Sequence, residues 1–340
     1  MAGRLKKVFK RAVSYAGIFF FALAIGMLWW QLRHYSLMDI ARALWNIPFI
    51  NLVYACIACL AGYVALAFYD FQALRYIGKK LPWWKWMLAG MMGFAISNNA
   101  GHAVVSGAAI RYRLYTRWRI TAGEIVKILT FNGFTYFLGC TAIVIAGYFM
   151  VPHSLFNESV GVSVGIGGLF IFCCCCLGAY FALAALFAGK KIKIFKLDFR
   201  VPGVSAAAVQ MLTGIVDSVL AGLVLYFVMT PFIQIPFGTF MGIFVIAQTA
   251  GVFSQVPGGI GVFESIFLAI LPSGADRATL FASLLAFRII YYLLPLIGVG
   301  GLFFVYENYL RARMKKWAAA ANAITQGIKD KIKGSGHPAT

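Results

Sequence analysis

Residues 251–264 read Gly-Val-Phe-Ser-Gln-Val-Pro-Gly-Gly-Ile-Gly-Val-Phe-Glu. They put Pro257, four glycines (Gly251, Gly258, Gly259, Gly261), Ser254, Gln255 and the carboxylate of Glu264 inside an otherwise apolar region. Pro-Gly-Gly frees backbone N–H and C=O groups from helix bonding, and lipid offers them no replacement partners. Such a break belongs where backbone is buried in protein or lines a polar cavity. Five ionisable residues share this apolar setting: Asp70, Arg111, Asp217, Glu264 and Arg288. A charge at membrane depth costs about 2.5–3.5 kcal/mol on insertion scales, so each needs a partner or water.

Two chemistries fit these residues. One is a static ion pair that ties helices together, with Arg288 facing Glu264 or Asp217. The other is an anion site, in which a phosphate meets Arg111 or Arg288 and the N–H groups of the glycine break. A second polar stretch, Ser106-Gly107-Ala-Ala-Ile-Arg111-Tyr-Arg113, sets two arginines after small residues and suits capture of a lipid phosphate at a membrane rim. Those arginines also fit plain interfacial anchors. His102 has no acidic neighbour and reads as a packed or hydrogen-bonding histidine, with ligand or proton-relay duty as the alternative. Lys127 and Glu124 read as loop-edge charges.

Catalytic motifs are not visible. There is no H-E-x-x-H, G-x-S-x-G or P-loop pattern, and the 10 acidic residues are scattered, so neither enzyme, cofactor nor metal is expected. Cys173, Cys174, Cys175 and Cys176 are consecutive; neighbours on a helix point about 100° apart, so they cannot share one metal and read as small packing residues.

The elements that must hold these groups are membrane helices. The chain is 62% hydrophobic and only 12% charged, with a mean hydropathy of +0.84. Soluble domains carry about 25% charged residues. The net charge of +20 lies in short clusters between apolar runs, the positive-inside pattern and not a nucleic-acid surface. Following those clusters gives an all-α polytopic fold. A basic cytoplasmic N-terminus (residues 1–14) precedes spans at 15–30 and 49–69. Another basic loop follows, bearing Lys79, Lys80, Lys85 and the belt tryptophans Trp83, Trp84 and Trp86.

Residues 87–110, if they crossed, would carry Arg111, Arg113, Arg117 and Arg119 outside. A re-entrant hairpin broken at Ser97-Asn98-Asn99-Ala-Gly101-His102 avoids that. Spans at 128–150 and 161–188 follow, joined outside through 151–160. A basic loop at 190–200 leads to a span at 204–229 that carries Asp217. Residues 237–271 start and end outside and form a second hairpin, entering from the opposite face. The last span is 281–306, and the basic tail 307–340 returns to the cytoplasm, with 317–333 lying on the inner surface.

This gives six full spans and two hairpins, in two copies at 15–150 and 161–306. Each copy crosses three times, so the copies are inverted relative to one another, an arrangement that places sites where the breaks meet. Ile96-Ser-Asn-Asn-Ala-Gly101 against Ile246-Ala-Gln-Thr-Ala-Gly251 is a faint echo of the repeat.

Ser106-Gly-Ala-Ala-Ile-Arg-Tyr-Arg-Leu114 and Pro257-Gly-Gly-Ile-Gly-Val-Phe-Glu264 resemble the paired signatures of the lysylphosphatidylglycerol synthase transmembrane region family, across about residues 15–306. In two-part members this region is associated with moving a modified anionic phospholipid between leaflets, and a separate soluble domain makes that lipid. No such domain fits here, so lysyl transfer is not implied. The resemblance implies a stand-alone bacterial inner-membrane translocase of phosphatidylglycerol- or cardiolipin-like lipids. Its partners would be anionic phospholipids, with a lipid-modifying enzyme or a second copy of the chain as further associates. A proton-coupled carrier of a small anion and a non-transporting docking partner are the other classes left open.

Overall fold

A helix needs about 20 residues to cross the hydrocarbon of a bilayer. In the computed structural model, which describes residues 37–100, 103–150, 166–194, 197–254, 256–271, 277–309 and 312, five helices are long and apolar enough: Phe49–Tyr76, Ala122–Met150, Gly167–Leu186, Val204–Met229 and Thr279–Tyr309. The chain is a multi-pass helical membrane protein. The expected span at 15–30, the external segment 151–160 and the tail at 317–333 lie outside the described residues.

We label the elements α1 (Leu37–Trp45), α2 (Phe49–Tyr76), α3 (Trp83–Ala100), α4 (Ala103–Arg117), α5 (Ala122–Met150) and α6 (Ile166–Leu186). Then come β1 (Lys191–Ile194), β2 (Leu197–Arg200), α7 (Val204–Met229), α8 (Phe237–Phe253), α9 (Val262–Ile270) and α10 (Arg277–Phe287). Among the described residues, those up to Leu296 make one compact unit and those from Ile297 a second, in which residues 297–309 are helical.

Proline marks the helix starts. Pro48 and Pro236 are the N-caps of α2 and α8, and Pro82 immediately precedes α3. A helix's first residues have no intrahelical acceptor for their N–H, so a residue lacking one costs nothing there. Thr121 and Glu124 exchange bonds at the head of α5, where Glu124 Oε2 accepts the Thr121 N–H at 2.8 Å. This is the reciprocal box that satisfies orphan donors.

The frame is α2 against α7, antiparallel, cross-linked by polar side chains at three levels. Asn51 donates to the Phe227 carbonyl at 2.7 Å, Tyr69 to Asp217 at 3.0 Å and Gln72 to Thr213 at 2.6 Å. On its other side α7 meets α5 where Gly139 faces Gly214. A Cβ on Gly214 would stand 2.8 Å from Gly139 Cα, so the backbones touch as small-residue interfaces in membranes allow. Two pairs of shorter helices fill the remaining space. In α3 and α4, Gly93 and Ser97 face Arg111 and Gly107, so the two run antiparallel. In α8 and α9, Phe244 meets Phe263 and Phe240 meets Phe267, again antiparallel, and a 3-10 turn at Pro257–Gly259 joins them.

Two features depart from expectation. The basic loop after α6 is not irregular: β1 and β2 form an antiparallel ladder pairing Lys191 with Arg200 and Lys193 with Asp198, so the fold is not purely helical. The Tyr76 hydroxyl pins this hairpin to the end of α2, donating to the Arg200 carbonyl at 2.7 Å and accepting its N–H at 2.9 Å. The loop before the second span also holds the short helix α1, whose Ala43 packs with Phe281 and Ala282 of α10.

Candidate functional site

The glycine break is built by backbone conformations that only glycine adopts cheaply. Gly258, Gly259 and Gly261 have φ of 62°, 61° and 86°. Gly259 lies against Gly251, where an added Cβ would come within 2.9 Å of the Gly251 Cα. Ser254 shapes the entry to the turn: its hydroxyl donates to the Gly251 carbonyl at 2.7 Å and accepts the Val256 N–H at 3.3 Å. Pro257 opens the 3-10 turn. Gln255 lies outside the described residues.

The turn delivers Glu264 to Arg288. Glu264 sits at the third position of α9, and its Oε2 accepts the Gly261 N–H at 2.7 Å. The carboxylate is thus fixed by its own helix start, where negative charge is favoured. Its Oε1 accepts two bonds from Arg288, from Nε at 2.8 Å and Nη2 at 2.7 Å. Arg288 Nη1 donates to the Gly258 carbonyl, and Tyr292 and Phe263 flank the guanidinium, their ring centres 4.6 and 5.4 Å away. Of the two partners that the sequence offered Arg288, the structure chooses Glu264.

Arg288 also begins a π-helical turn, Arg288–Leu293. Such turns disturb the regular bonding ladder and often mark functional positions. Here three successive carbonyls take side-chain donors from other helices. Cys59 reaches Ile290 O at 3.2 Å, Tyr63 reaches Tyr291 O at 3.2 Å and Asn99 reaches Tyr292 O at 3.0 Å. The tips of the two helix pairs meet at this point: the Asn98 carbonyl lies 3.5 Å from where a Cβ on Gly258 would stand.

A cleft of about 180 Å³ opens on the pair. Its walls include Phe281, Leu284, Leu285 and Leu293, and its polar end is Asn99, Glu264, Arg288 and Tyr292. Leu293 is 47% exposed and forms the outer lip, whereas the Arg288 side chain is 12% exposed and Glu264 only 5%.

The other candidate residues fall in two further places. Arg111 is closed in against Asp70, its Nε 3.1 and 3.0 Å from the two carboxylate oxygens. Tyr115 donates to Asp70 at 2.8 Å and Asn132 donates as well, while Phe94 stacks under the guanidinium at 4.5 Å. Gly107 and Gly93 leave the room this side chain occupies, since a Cβ at Gly93 would collide with the guanidinium. Arg113, two residues on, is exposed. Ser106 lies in α4, with its side chain outside the described set, as is His102 entirely. Asp217 is buried on α7 beside Tyr69 and meets neither arginine pair. All seven cysteines are unpaired, and no group of three or more metal-ligating side chains occurs among the described residues.

Sequence reasoning missed Asp70 as the Arg111 partner, and Asn99, Tyr292 and the π turn as parts of the cleft. Asn99 carried a signal, standing in the polar interruption of an apolar stretch. Tyr292 carried one too, at four residues from Arg288 on one helix face.

Comparison with known proteins gives the family. Residues 16–298 match the family model described as the lysylphosphatidylglycerol synthase TM region. The Synechocystis protein slr0712 is 33% identical over 297 residues, covering 86% of this chain and 90% of that protein. The inner membrane protein YbhN of Escherichia coli is 27% identical over 276 residues, covering 79% and 80% of the two chains. The phosphatidylglycerol lysyltransferase of Staphylococcus xylosus is 39% identical over 84 residues, 24% of this chain but 10% of that much longer protein. The family match spans nearly the whole apolar region, and the chain belongs to the lysylphosphatidylglycerol synthase transmembrane region family.

Proposed function

We propose that the chain moves an anionic phospholipid, of phosphatidylglycerol or cardiolipin type, between the leaflets of a bacterial inner membrane. One observation carries this reading: an apolar cleft with an exposed leucine lip ends on a buried arginine that a carboxylate already holds. A phospholipid has the matching shape and charge, with acyl chains for Phe281, Leu284, Leu285 and Leu293 and a phosphate for Arg288. Guanidinium binds phosphate and carboxylate by the same forked geometry, so a headgroup competes with Glu264 for Arg288. Glu264 keeps its bond to the Gly261 N–H during that exchange. The ion pair therefore closes the site when no lipid is present and reopens without stranding a bare charge.

The antiparallel pairs α3–α4 and α8–α9, tip to tip at Gly258, support two re-entrant hairpins from opposite faces and an inverted repeat with both termini cytoplasmic. That architecture puts a polar site at mid-membrane, reachable alternately from either side. The family tie to phosphatidylglycerol lysyltransferases supports an anionic phospholipid as cargo. The exposed lip at Leu293 favours a lipid over a small soluble anion, which needs a sealed path.

The test is a leaflet-sidedness assay in proteoliposomes with headgroup-labelled phospholipids. We expect anionic phospholipids to redistribute faster with protein than without, and zwitterionic ones not to. Equal rates with and without protein, or uptake of a soluble anion without lipid movement, would overturn the reading.

A further inference from the structure

Asp217 has no role in the ion pairs above, yet it is 3% exposed midway along α7. Its Oδ2 accepts the Tyr69 hydroxyl at 3.0 Å, and its Oδ1 has no hydrogen-bond partner. Two nearby buried hydroxyls are likewise unpartnered, those of Tyr136 on α5 and Thr249 on α8. They belong to one neighbourhood. The Cys140 thiol is flanked by Tyr136, Ser218 and Thr249, and stands 3.9 Å from the Ser218 hydroxyl.

The groups facing Asp217 come from every element around it, and none is a cation. Tyr63 and Tyr69 come from α2, Tyr136 and Cys140 from α5, and Tyr291 from the π turn. Thr249, beside Cys140, completes the α8 side. Helix α6 touches α7 two turns away, through Tyr180 and Gln210, and α10 touches it near Val228 through Ser283. Among the described residues no lysine, arginine or histidine bears on the carboxyl group.

An isolated buried carboxylate costs far more than its neutral acid, so such a group neutralises itself. A bound metal ion would need several hard oxygen ligands, and Asp217 is the one carboxylate here. Protonation solves the hydrogen-bond problem as well. It makes Oδ1 a donor, and the hydroxyl oxygens of Tyr136 and Thr249 can accept. We propose that Asp217 is a proton-binding site of this protein, and that its proton is exchanged as the Glu264–Arg288 pair opens and closes.

A route for that linkage is on hand. Tyr63 packs on Tyr291 with ring centres 5.8 Å apart, Tyr291 meets Tyr292 at 5.4 Å, and the Tyr292 ring centre lies 4.6 Å from the Arg288 guanidinium. A rearrangement of the π turn as Arg288 is released would therefore shift rings packed beside Asp217. The linkage rests on the lipid-moving reading; the proton site does not.

Infrared difference spectroscopy on the purified chain in zwitterionic nanodiscs separates the two. We expect a protonated-carboxyl band that disappears as pH is raised, is missing in Asp217→Asn and survives in Glu264→Gln. Tyr69→Phe should shift the band's frequency, because the acid loses its one donated bond, which keeps the test alive if Asp217→Asn folds poorly. Identical carboxyl bands in wild type and both Asp217-directed variants would overturn the proposal, as would a band that responds to sodium at fixed pH. In proteoliposomes a pH gradient should change the rate of lipid movement, and Asp217→Asn should lose that response. Wild-type movement that ignores the gradient would overturn the linkage and leave the spectra to judge the site.

Discussion

Arg111 and Asp70 stand 41 residues apart in sequence and meet with side-chain exposures of 3% and 0%. Every approach to the pair is closed by protein: Phe94 below the guanidinium, Tyr115 and Asn132 on the carboxylate, Gly93 and Gly107 alongside. Arg288 and Glu264 make the same chemical pair at the end of a cleft. One pair is a strut between α2, α4 and α5; the other borders a space that a ligand can enter.

The strut reading predicts a stability phenotype. Asp70→Ala leaves Arg111 charged and buried, a loss of about 3–5 kcal/mol, enough to remove most folded protein from the membrane. Replacing both residues with apolar ones (Asp70→Leu with Arg111→Met) should recover part of that loss, because no stranded charge remains. Membrane abundance and thermal survival in detergent, compared across the single and double variants, decide it. Normal abundance in Asp70→Ala would mean that the pair bears no load.

Topology offers a second test. If α3 and α4 enter and leave the membrane on one side, the end of α4 faces the cytoplasm along with both termini. Thr116 is exposed near that end, and its hydroxyl bonds only within its own helix, so Thr116→Cys in a cysteine-free chain is a mild probe. An impermeant thiol reagent should label it in inverted vesicles and not in intact cells. Efficient labelling from outside the cell would make the pair a full crossing and undo the inverted repeat.

How much of this was legible in the sequence depends on distance along the chain. The break at 257–261 was, because Pro-Gly-Gly permits little else, and Glu264 and Arg288 stood out as charges in apolar stretches around it, although Asp217 remained a second partner for Arg288 until the structure paired it with Glu264. The Arg111 partner was not. Asp70 looks like the end of a span until α2 is seen to continue to Tyr76, which draws the aspartate inside. The β-hairpin was hidden by its own charges. Lys191-Ile-Lys-Ile alternates with a period of two, as a strand does, yet beside apolar helices it read as one more basic loop. The π turn has no sequence signature here at all. It is held by Cys59, Tyr63 and Asn99, residues some 190 to 230 positions away.

At the break, Gly259 has φ of 61° and touches Gly251. Gly259→Val adds a branched side chain both to an unfavourable backbone region and to a contact with no room, for which about 1–3 kcal/mol of backbone strain is the least cost. Gly258 has the same φ but more space, its nearest neighbours standing at 3.3 and 3.5 Å. We expect Gly259→Val to lower membrane abundance more than Gly258→Ala does, by quantitative immunoblot. Equal, wild-type levels of both would remove the turn from the determinants of the fold.

Glu264 distinguishes a strut from a moving part. Its two oxygens divide the labour, Oε1 on Arg288 and Oε2 on the Gly261 N–H. Glu264→Gln keeps an oxygen for one of these bonds and the shape of the side chain, but it removes the charge that holds Arg288. If the pair only braces the fold, the variant strands a buried cation, and abundance falls together with lipid movement. If the pair is exchanged for a phosphate in each cycle, the cleft gives the freed guanidinium water or a headgroup to bind. Abundance then holds, but the site no longer closes behind its cargo and movement between leaflets drops. We expect the second outcome. The measurement is a pair of numbers from one preparation, the amount of folded protein and the rate of leaflet redistribution, and wild-type values of both would take Glu264 out of the working site.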